Sequence, residues 1–200
     1  MGFQSRGLRV ENRVVLDSDF CQILLSKHNQ DEAKAFFKSI FNCLKISPVL
    51  HEYVYKEELF NNQCILDLVA ENIIEIAKLE NFVSSADNKA LYKILFKDYY
   101  KFMNGENWAD QDDVFSKRYA GKNMGEIHSL ILAFYLKVPC FFSNDKGAKN
   151  LAKNKINSKG FAIEVKNVEQ VFQDIDTTKH NDVDLKERKR ILKSIKNKIN

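Results

Sequence analysis

The chain of 200 residues carries a formal net charge of +4 at pH 7, with 44% hydrophobic and 29% charged residues. A chain of this length and composition can bury the core of one sizeable domain. No apolar run approaches the roughly 20 residues that a membrane-spanning helix needs, so we expect no membrane segment. The N-terminal residues lack an apolar signal core, and we therefore do not expect export.

The four cysteines indicate a reduced protein. They are widely scattered and include no Cys-x-x-Cys pair: Cys21, Cys43, Cys64 and Cys140. Structural zinc sites need closely spaced pairs of ligands, so the spacing argues against zinc. Each cysteine has apolar neighbours, where a free thiol behaves as a small buried hydrophobe. A reducing cytoplasm is the compartment that this pattern favours.

Basic residues are concentrated in the last quarter of the chain. Residues 146–200 contain 14 Lys and Arg against 7 Asp and Glu, whereas residues 1–145 contain 17 basic and 20 acidic residues. A basic segment attached to an acidic body is consistent with a polyanionic partner. It is equally consistent with a solvated tail, so the charge pattern alone does not decide between them.

The first predicted elements follow a loose leader of residues 1–12. The β-prone run Arg13–Leu16 predicts a strand that ends at Asp17-Ser18-Asp19, directly before the apolar run that starts at Phe20. Helical spacing of apolar residues predicts a second helix from Gln30 to about Asn42.

The middle of the chain has a largely helical pattern. It runs from Pro48 to about Leu79 and includes Glu52, and Pro48 suits a first helical turn because its missing N–H needs no partner there. Ser84–Asp87 predicts a new helix start, followed by apolar positions up to Phe102.

The last third alternates again between helices and strands. Glu126 opens an apolar helix, and the strand Val138–Phe142 is followed by Ser143-Asn144-Asp145 and a basic helix. A strand at Phe161–Val165, a helix from Asn167 and a basic terminal helix over 182–200 complete the pattern. Strands that alternate with helices predict an α/β fold with a parallel sheet.

Acidic residues are predicted at one edge of this sheet. Asp17 and Asp145 each follow a strand and precede a helix, and parallel sheets bring such positions together at their carboxyl edge. Glu126 lies at the start of a helix that precedes the strand before Asp145. Clustered carboxylates repel one another, and a hard divalent cation relieves that repulsion.

These residues together resemble the PIN-domain family of metal-dependent nucleases. The late helix of that family reads acid, six residues, Ala, then a strand and Ser/Thr-Asn/Asp-Asp, as Glu126 with Ala133 and Ser143-Asn144-Asp145 do here. Ala148-Lys149 stands where the family often has Ala-Arg. The resemblance covers roughly residues 13–170. The 73 residues between Glu52 and Glu126 exceed the usual length and predict a helical insertion over about 56–122.

The resemblance implies a three-layer α/β/α domain over residues 1–178, with a basic helix or tail over 179–200. It implies Mg²⁺- or Mn²⁺-dependent cleavage of RNA, with direct metal ligands Asp17, Glu126 and Asp145, and Glu52 as a further catalytic acid. Asp19, Ser143 and Asn144 would support these ligands. Because many relatives are toxins of toxin–antitoxin pairs, an antitoxin protein and a homodimer are the candidate partners besides RNA.

Ordinary structural roles compete with each of these assignments. Asp17, Asp19 and Asp145 could cap helices, and Glu126 is favourable at a helix N-terminus without any function. His51 and His128 are more often structural beside apolar runs, and the aromatic residues from Phe96 to Trp108 are more often core than base-stacking platforms. The basic helix could carry a phosphate backbone or be a solvated face: Lys146, Lys149, Lys153 and Lys155.

Two other functions remain alternatives to an RNA nuclease. The first is a PIN-like RNA- or protein-binding module that has lost catalysis, against which the set of acids argues. The second is a flap-type DNA nuclease, a class that usually carries more acids and a helical DNA-gripping motif that this sequence lacks.

Overall fold

A computed structural model describes residues 12–27, 29–109, 114–115, 122–157, 160–178 and 183–199. The early strands are β1 (Arg13–Leu16), β2 (Ser47–His51) and β3 (Glu75–Ala77), and the late strands are β4 (Cys140–Phe142) and β5 (Glu164–Lys166). The first four helices are α1 (Ser18–Leu24), α2 (Gln30–Leu44), α3 (Gln63–Ala70) and α4 (Leu79–Phe82). They are followed by α5 (Ala86–Asn104), α6 (Met124–Leu136), α7 (Lys146–Leu151), α8 (Val168–Asp176) and α9 (Leu185–Ile199).

Two further segments are wound as π-helix. Val54–Glu58 follows β2, and Ala152–Ile156 continues α7. Within the described residues, no helix is both long enough and apolar enough to cross a bilayer.

The five strands form one parallel sheet in the order β3-β2-β1-β4-β5. The chain therefore winds outward in one direction through β2 and β3, and in the other direction through β4 and β5. The order reverses between β1 and β4, where Val15 pairs with Phe141 and Leu16 with Phe142. Open α/β sheets bind their ligands at the carboxyl ends of the strands beside such a reversal.

Hydrophobic cores cover both faces of the sheet, which confirms the predicted α/β/α layering. Val15, Val49 and Phe141 face a core built largely from α5, α6 and α7. Val14, Leu50 and Phe142 face the other core, which α1, α2, α3, α8 and α9 complete. Strands that are buried on both faces read as continuous apolar runs, as Arg13-Val14-Val15-Leu16 does.

The predicted helical pattern from Pro48 to Leu79 is wrong in two places. Ser47–His51 forms the strand β2, and Glu75–Ala77 forms β3 at the edge of the sheet. A short apolar run such as Val49-Leu50 suits a buried strand and a buried helix equally well, and the pairing of β2 with β1 on one side and β3 on the other decides for the strand. The region 56–122, expected as a helical insertion, therefore contributes one strand of the central sheet as well as α3, α4 and α5.

The C-terminal helix packs on the domain and does not extend from it as a tail. Ile191 is 1% exposed, and Leu192 and Ile195 pack against the same core as α1 and α8. Arg188 Nη1 donates to Asp176 Oδ1 at 2.5 Å and is itself 5% exposed. The apolar stripe of α9 thus belongs to the folded domain, whereas most of its lysines lie at exposed positions.

Candidate active site

Asp17 and Asp145 lie at the reversal of strand order and are linked through one hydroxyl group. Asp17 follows β1, is 1% exposed and caps α1, with Oδ1 accepting from the Ser18 N–H at 2.7 Å. Ser143, directly after β4, donates from Oγ to Asp17 Oδ2 at 2.6 Å and accepts from the Asp145 N–H at 3.1 Å. Ser143 is therefore a buried bridge that fixes the two strand-end carboxylates relative to each other.

Asp145 also has a capping role at the start of α7. Its Oδ1 accepts from the Ala148 N–H at 2.8 Å. The helix-capping and the strand-edge interpretations therefore both hold for Asp17 and Asp145. A cap aligned in this way holds a carboxylate rigidly, which is also what a ligand or catalytic group requires.

Glu126 lies in the first turn of α6, as the sequence predicted, and a further acid faces that turn. Glu58 ends the π-helical segment and hydrogen-bonds to Ser18 and to the Gly125 backbone. A Cβ on Gly125 would collide with both carboxylate oxygens of Glu58. Glycine at this position is thus what allows Glu58 to approach the helix N-terminus.

The structure brings Glu58, and not Glu52, to the other acids. Glu52 Oε2 pairs with Lys56 Nζ at 2.7 Å, and Oε1 accepts from the Leu79 N–H at the start of α4. Burial alone would raise the pKa of Glu52, but these hydrogen bonds and the Lys56 charge outweigh it and lower the pKa. Glu52 is thereby held by its own partners, away from the site between β1 and β4.

Glu58 cannot be recognised from the sequence, because its local pattern is that of an ordinary surface helix. In Lys56-Glu57-Glu58-Leu59 the acid looks like one of several charges on a solvated helix. The π-helical winding of Val54–Glu58 changes the direction in which Glu58 points, and π-turns of this kind are frequent at functional sites. Only Gly125 in front of Glu126 hinted that something approaches the start of α6 closely.

Five carboxylates share this region and are called the acidic cluster: Asp17, Asp19, Glu58, Glu126 and Asp145. Burial raises the pKa of Asp17 well above its ordinary value, and the charges of Asp19, Glu126 and Glu58 raise it further against the Ser143 hydrogen bond. Burial, with the charges of Glu58, Asp145 and Asp19, raises the pKa of Glu126 to about 7. Burial also raises the pKa of Glu58. The charges that act most strongly on these three acids are those of other acids.

Asp19 and Asn144 contain buried polar atoms without a hydrogen-bond partner. These atoms are Asp19 Oδ1 and Asn144 Nδ2, whose geometry falls short of a regular hydrogen bond. Burial raises the pKa of Asp19, and weaker hydrogen-bonding interactions with Asp17 and with the backbone and side chain of Asn144 partly offset this. Asn144 Oδ1, in contrast, accepts from the Val168 N–H at 3.1 Å. Unsatisfied polar atoms are rare in folded proteins and frequently mark positions where a ligand or ion completes the bonding.

The acidic cluster fits a hard divalent cation in charge and chemistry. All of its side chains offer oxygen ligands, and each raised pKa reports repulsion or desolvation that a cation would relieve. Among the described residues, however, no group of three or more His, Cys, Asp or Glu side chains is placed closely enough to hold a metal ion. The cluster therefore concentrates negative charge, but among the described residues it is not a preassembled set of metal ligands.

The predicted basic helix has both exposed and paired lysines. Lys146, Lys149 and Lys153 are exposed on α7 and the π-helical segment that continues it. Lys155 Nζ instead pairs with Asp98 Oδ1 at 2.7 Å and lies 5.7 Å from the centre of the Phe102 ring. Lys155 therefore ties this segment to α5, while the other three remain available on the surface.

His51 and His128 are structural, as the sequence favoured. Tyr92 joins them, with its hydroxyl 3.3 Å from His51 Nε2 and 2.5 Å from His128 Nδ1, and His51 Nδ1 accepts from the Tyr53 N–H at 2.9 Å. Burial lowers the pKa of His51 to about 3 and that of His128 well below its ordinary value. Both rings are therefore neutral at physiological pH.

The aromatic residues that precede this region are also largely core. Phe96 and Tyr99 are fully buried, and Trp108 is 8% exposed. Phe96 packs against Trp108 and His128, with ring centres 5.1 Å and 4.9 Å apart. Phe102 is exposed at 40%. The aromatic stretch therefore mainly fills the core between α5 and α6.

Comparisons with known proteins leave the site to be interpreted from its own geometry. No family model matches the chain, and no curated protein or solved structure is significantly similar to it. The resemblance to PIN domains thus rests on the residues quoted above.

Proposed function

We propose that the protein is a PIN-like, metal-dependent nuclease that hydrolyses phosphodiester bonds in RNA. The observation that carries the proposal is the pair Asp17 and Asp145, which follow adjacent strands at the reversal of strand order and share the Ser143 hydroxyl. Three more acids, Asp19, Glu58 and Glu126, act electrostatically on this pair or on each other. Ligand sites of parallel sheets occur at this position, and a carboxylate cluster there suits a cation that binds phosphate.

Asp17, Glu58, Glu126 and Asp145 are the residues that would hold Mg²⁺ or Mn²⁺. When bound, such a cation supplies an activated water and offsets negative charge on the phosphate. Ser143 holds Asp17 and Asp145 in a fixed position relative to each other, and Asn144 and Asp19 lie beside them. Without a cation the pKa of Glu126 is about 7, so cation binding near neutral pH would displace the proton that Glu126 holds.

The exposed lysines after Asp145 support a polyanionic substrate. Lys146, Lys149 and Lys153 begin immediately beside a proposed ligand, so a phosphate backbone bound along them would reach the acidic cluster. We therefore favour single-stranded RNA as the substrate. A role as the toxin of a toxin–antitoxin pair, with an antitoxin partner and a homodimeric assembly, is the biological setting that the resemblance suggests.

The decisive experiment incubates the purified protein with RNA and DNA single strands of the same sequence. We expect RNA cleavage with Mn²⁺ or Mg²⁺, no cleavage with excess EDTA, and recovery when the metal is restored. Asp145→Asn should reduce the rate about 10²-fold or more, because an amide can coordinate a cation but cannot neutralise it.

Asp87→Asn is the matched control, since Asp87 is an exposed acid in the first turn of α5. It should cleave like the unmodified protein. RNA cleavage that persists in EDTA, or an Asp145→Asn variant of normal rate, would reject the proposal. RNA binding without any cleavage would favour the inactive PIN-like module instead, and cleavage of DNA alone would favour the DNA nuclease.

A further inference from the structure

The outer side of α9 carries four lysines and no acid. They are exposed and lie three or four residues apart, and together they are called the α9 lysine face: Lys186, Lys189, Lys193 and Lys196. This spacing places them on one side of the helix over about 15 Å. The opposite side of α9 is the apolar stripe of Ile191, Leu192 and Ile195, which packs on the core.

The acids nearest to this face in the sequence are bound to other groups. Glu187 is 5% exposed, and its carboxylate accepts from Arg190 Nε at 2.9 Å and from Arg190 Nη2. Asp184 Oδ1 accepts from the backbone N–H of Lys186 at 2.8 Å. Within the described part of the chain, no side chain of the α9 lysine face forms a hydrogen bond or an ion pair.

Several lysines elsewhere on the domain are paired with acids. Lys34 Nζ lies 2.7 Å from Asp67 Oδ2, and Lys166 Nζ lies 2.8 Å from Asp174 Oδ2. Like charges at helical spacing repel one another, so the lysines of α9 destabilise the helix unless negative charge lies against them. Because the four charges extend along the helix, a polyanion compensates them better than a single small anion does.

The position of α9 connects this face with the acidic cluster. The helix α7 packs on one face of the sheet and α9 on the other, and the cluster lies at the carboxyl edge between them. Ser194, the neighbour of Lys193, lines a groove that reaches Asp19 and Asn144. A polymer whose phosphate lies at the cluster would therefore meet the lysines of α7 on one side and those of α9 on the other.

The burial of the apolar stripe favours a nucleic acid over an anionic membrane. A helix that lies in a membrane surface inserts its apolar side among the lipids, but Ile191 of α9 is 1% exposed and belongs to the core. Leu185 is the one large apolar residue exposed on the described part of α9. A phosphate backbone, in contrast, requires only exposed cationic groups.

We propose that the α9 lysine face binds the phosphate backbone of single-stranded RNA on the side of the acidic cluster opposite α7. The inference deepens the proposed nuclease function and rests on it for the identity of the polyanion. It gives the C-terminal helix a role in substrate binding in addition to its packing on the core.

The test removes two charges from the α9 lysine face and, in a control, two from the far edge of the sheet. The first double variant combines Lys189→Gln with Lys193→Gln. The control combines Lys45→Gln with Lys137→Gln, two exposed lysines at the ends of α2 and α6, where the chain enters β2 and β4. Both lower the net charge equally. Fluorescence anisotropy would report the affinity for a fluorescein-labelled single-stranded RNA in EDTA, at several concentrations of KCl.

The α9 double variant should bind RNA about tenfold more weakly or worse at low salt. The slope of log affinity against log salt should fall by about 1.4, because each lost contact with a phosphate of a single strand removes about 0.7. The control should keep the affinity and slope of the unmodified protein. Thermal unfolding midpoints should not change, since Gln and Lys have similar helix propensities.

A second pair on the same face, Lys186→Gln with Lys196→Gln, should show the same loss and guards against a local effect of the first. Unmodified affinity and slope in both α9 pairs would overturn the proposal. An equal loss in the control would overturn it as well, because net charge alone would then explain the binding. Absence of RNA binding by the unmodified protein would have the same consequence.

Sedimentation with phosphatidylserine-containing vesicles distinguishes the membrane alternative. If the α9 double variant loses vesicle binding but keeps its RNA affinity, the face belongs to a membrane and the proposal fails. Vesicle binding that is absent, or equal in the two double variants, together with the loss of RNA affinity, supports RNA as the occupant.

Cleavage assays with Mn²⁺ separate this proposal from the proposed nuclease function. If the α9 double variant loses RNA affinity while the unmodified protein cleaves neither RNA nor bis(p-nitrophenyl) phosphate, the RNA-binding face stands and the nuclease function fails. If the unmodified protein cleaves RNA and the α9 double variant binds RNA normally, the nuclease function stands and the α9 lysine face is only a solvated surface.

Discussion

The segment His51–Glu58 links two polar regions, one at each of its ends, and they use their polar groups in opposite ways. On one side, His51, Tyr92 and His128 form a neutral hydrogen-bonded network in which His128 Nε2 is left without a partner. On the other side, the acidic cluster gathers like charges whose pKa values are raised by burial and mutual repulsion. The first arrangement stabilises the fold, whereas the second lowers its stability when the acids are ionised.

Glu52 and Glu58, which are six residues apart in the chain, show the same contrast. Glu52 lies beside the histidine network, where Lys56 and the Leu79 N–H stabilise its charge. Glu58 lies six positions later in the acidic cluster, where burial disfavours its charge. An acid at the edge of a sheet whose pKa is raised by burial and neighbouring acids indicates a functional site. An acid whose charge is stabilised by hydrogen bonds and an ion pair indicates a structural role.

The largest expected effect is the difference in activity between these two glutamates. Glu58→Gln should reduce metal-dependent RNA cleavage about 10²-fold or more, because it removes one charge from the proposed cation site. Glu52→Gln should leave the rate within about twofold, since Glu52 has no part in the cluster. Cleavage rates at saturating Mn²⁺ would check both. A Glu52→Gln variant as inactive as Glu58→Gln would reverse our assignment of the fourth acid.

The next largest effect tests the histidine network. Tyr92→Phe removes the hydroxyl that joins His51 Nε2 and His128 Nδ1 and leaves both nitrogens unpaired in the core. We expect a loss of about 2–3 kcal/mol in the free energy of unfolding, measured by urea denaturation. Tyr100→Phe is the control, because the Tyr100 hydroxyl donates to Glu106 at an exposed position. Equal stability in both variants would show that the network does not support the fold.

The pH dependence of stability should have opposite signs in the two regions. The pKa of Glu126 is raised from 4.5 to about 7, so between these values the unfolded chain is ionised while the folded protein still binds a proton. The folded state is therefore favoured at low pH, and this contribution is lost as pH rises toward 7. His51, whose pKa is lowered to about 3, works the other way, because the unfolded chain binds protons below its ordinary pKa of 6.5.

Because the two trends oppose each other, the test compares variants and not the unmodified protein alone. From pH 5 to pH 8, Glu126→Gln should gain about 2 kcal/mol of unfolding free energy relative to the unmodified protein in EDTA. Mn²⁺ at pH 8 should remove much of this difference by stabilising the ionised cluster. A difference that does not change with pH would mean that Glu126 is ionised normally in the folded protein.

The smallest expected effect concerns the stability contribution of Glu52. Its ion pair with Lys56 is partly exposed, and exposed pairs contribute about 1 kcal/mol or less. Glu52→Gln should therefore lower the unfolding free energy by no more than about 1 kcal/mol, measured by thermal or urea unfolding. A much larger loss would show that the hydrogen bond from the Leu79 N–H to Glu52, and not the ion pair, makes the main contribution to stability.

The sequence predicted those parts of the site that depend on neighbouring residues. Asp17 after β1, Glu126 at the start of α6 and Asp145 after β4 were placed correctly, because each follows from a short apolar run and the residue that ends it. The start of α5 after Ser85 is confirmed for the same reason, since Ser85 Oγ accepts from the Asn88 N–H. Signals of this kind are complete within a few residues.

By itself the sequence determined an α/β domain with acids at the ends of two strands, because alternation, capping and turn residues act locally. The tertiary structure alone decided three further features. β2 and β3 became strands through pairing, Glu58 joined the acids through a π-helical turn and the close approach at Gly125, and α9 packed beside Asp19 to form a groove. Each depends on contacts between residues that are distant in the chain, and the energy of such contacts is fixed only when the core assembles.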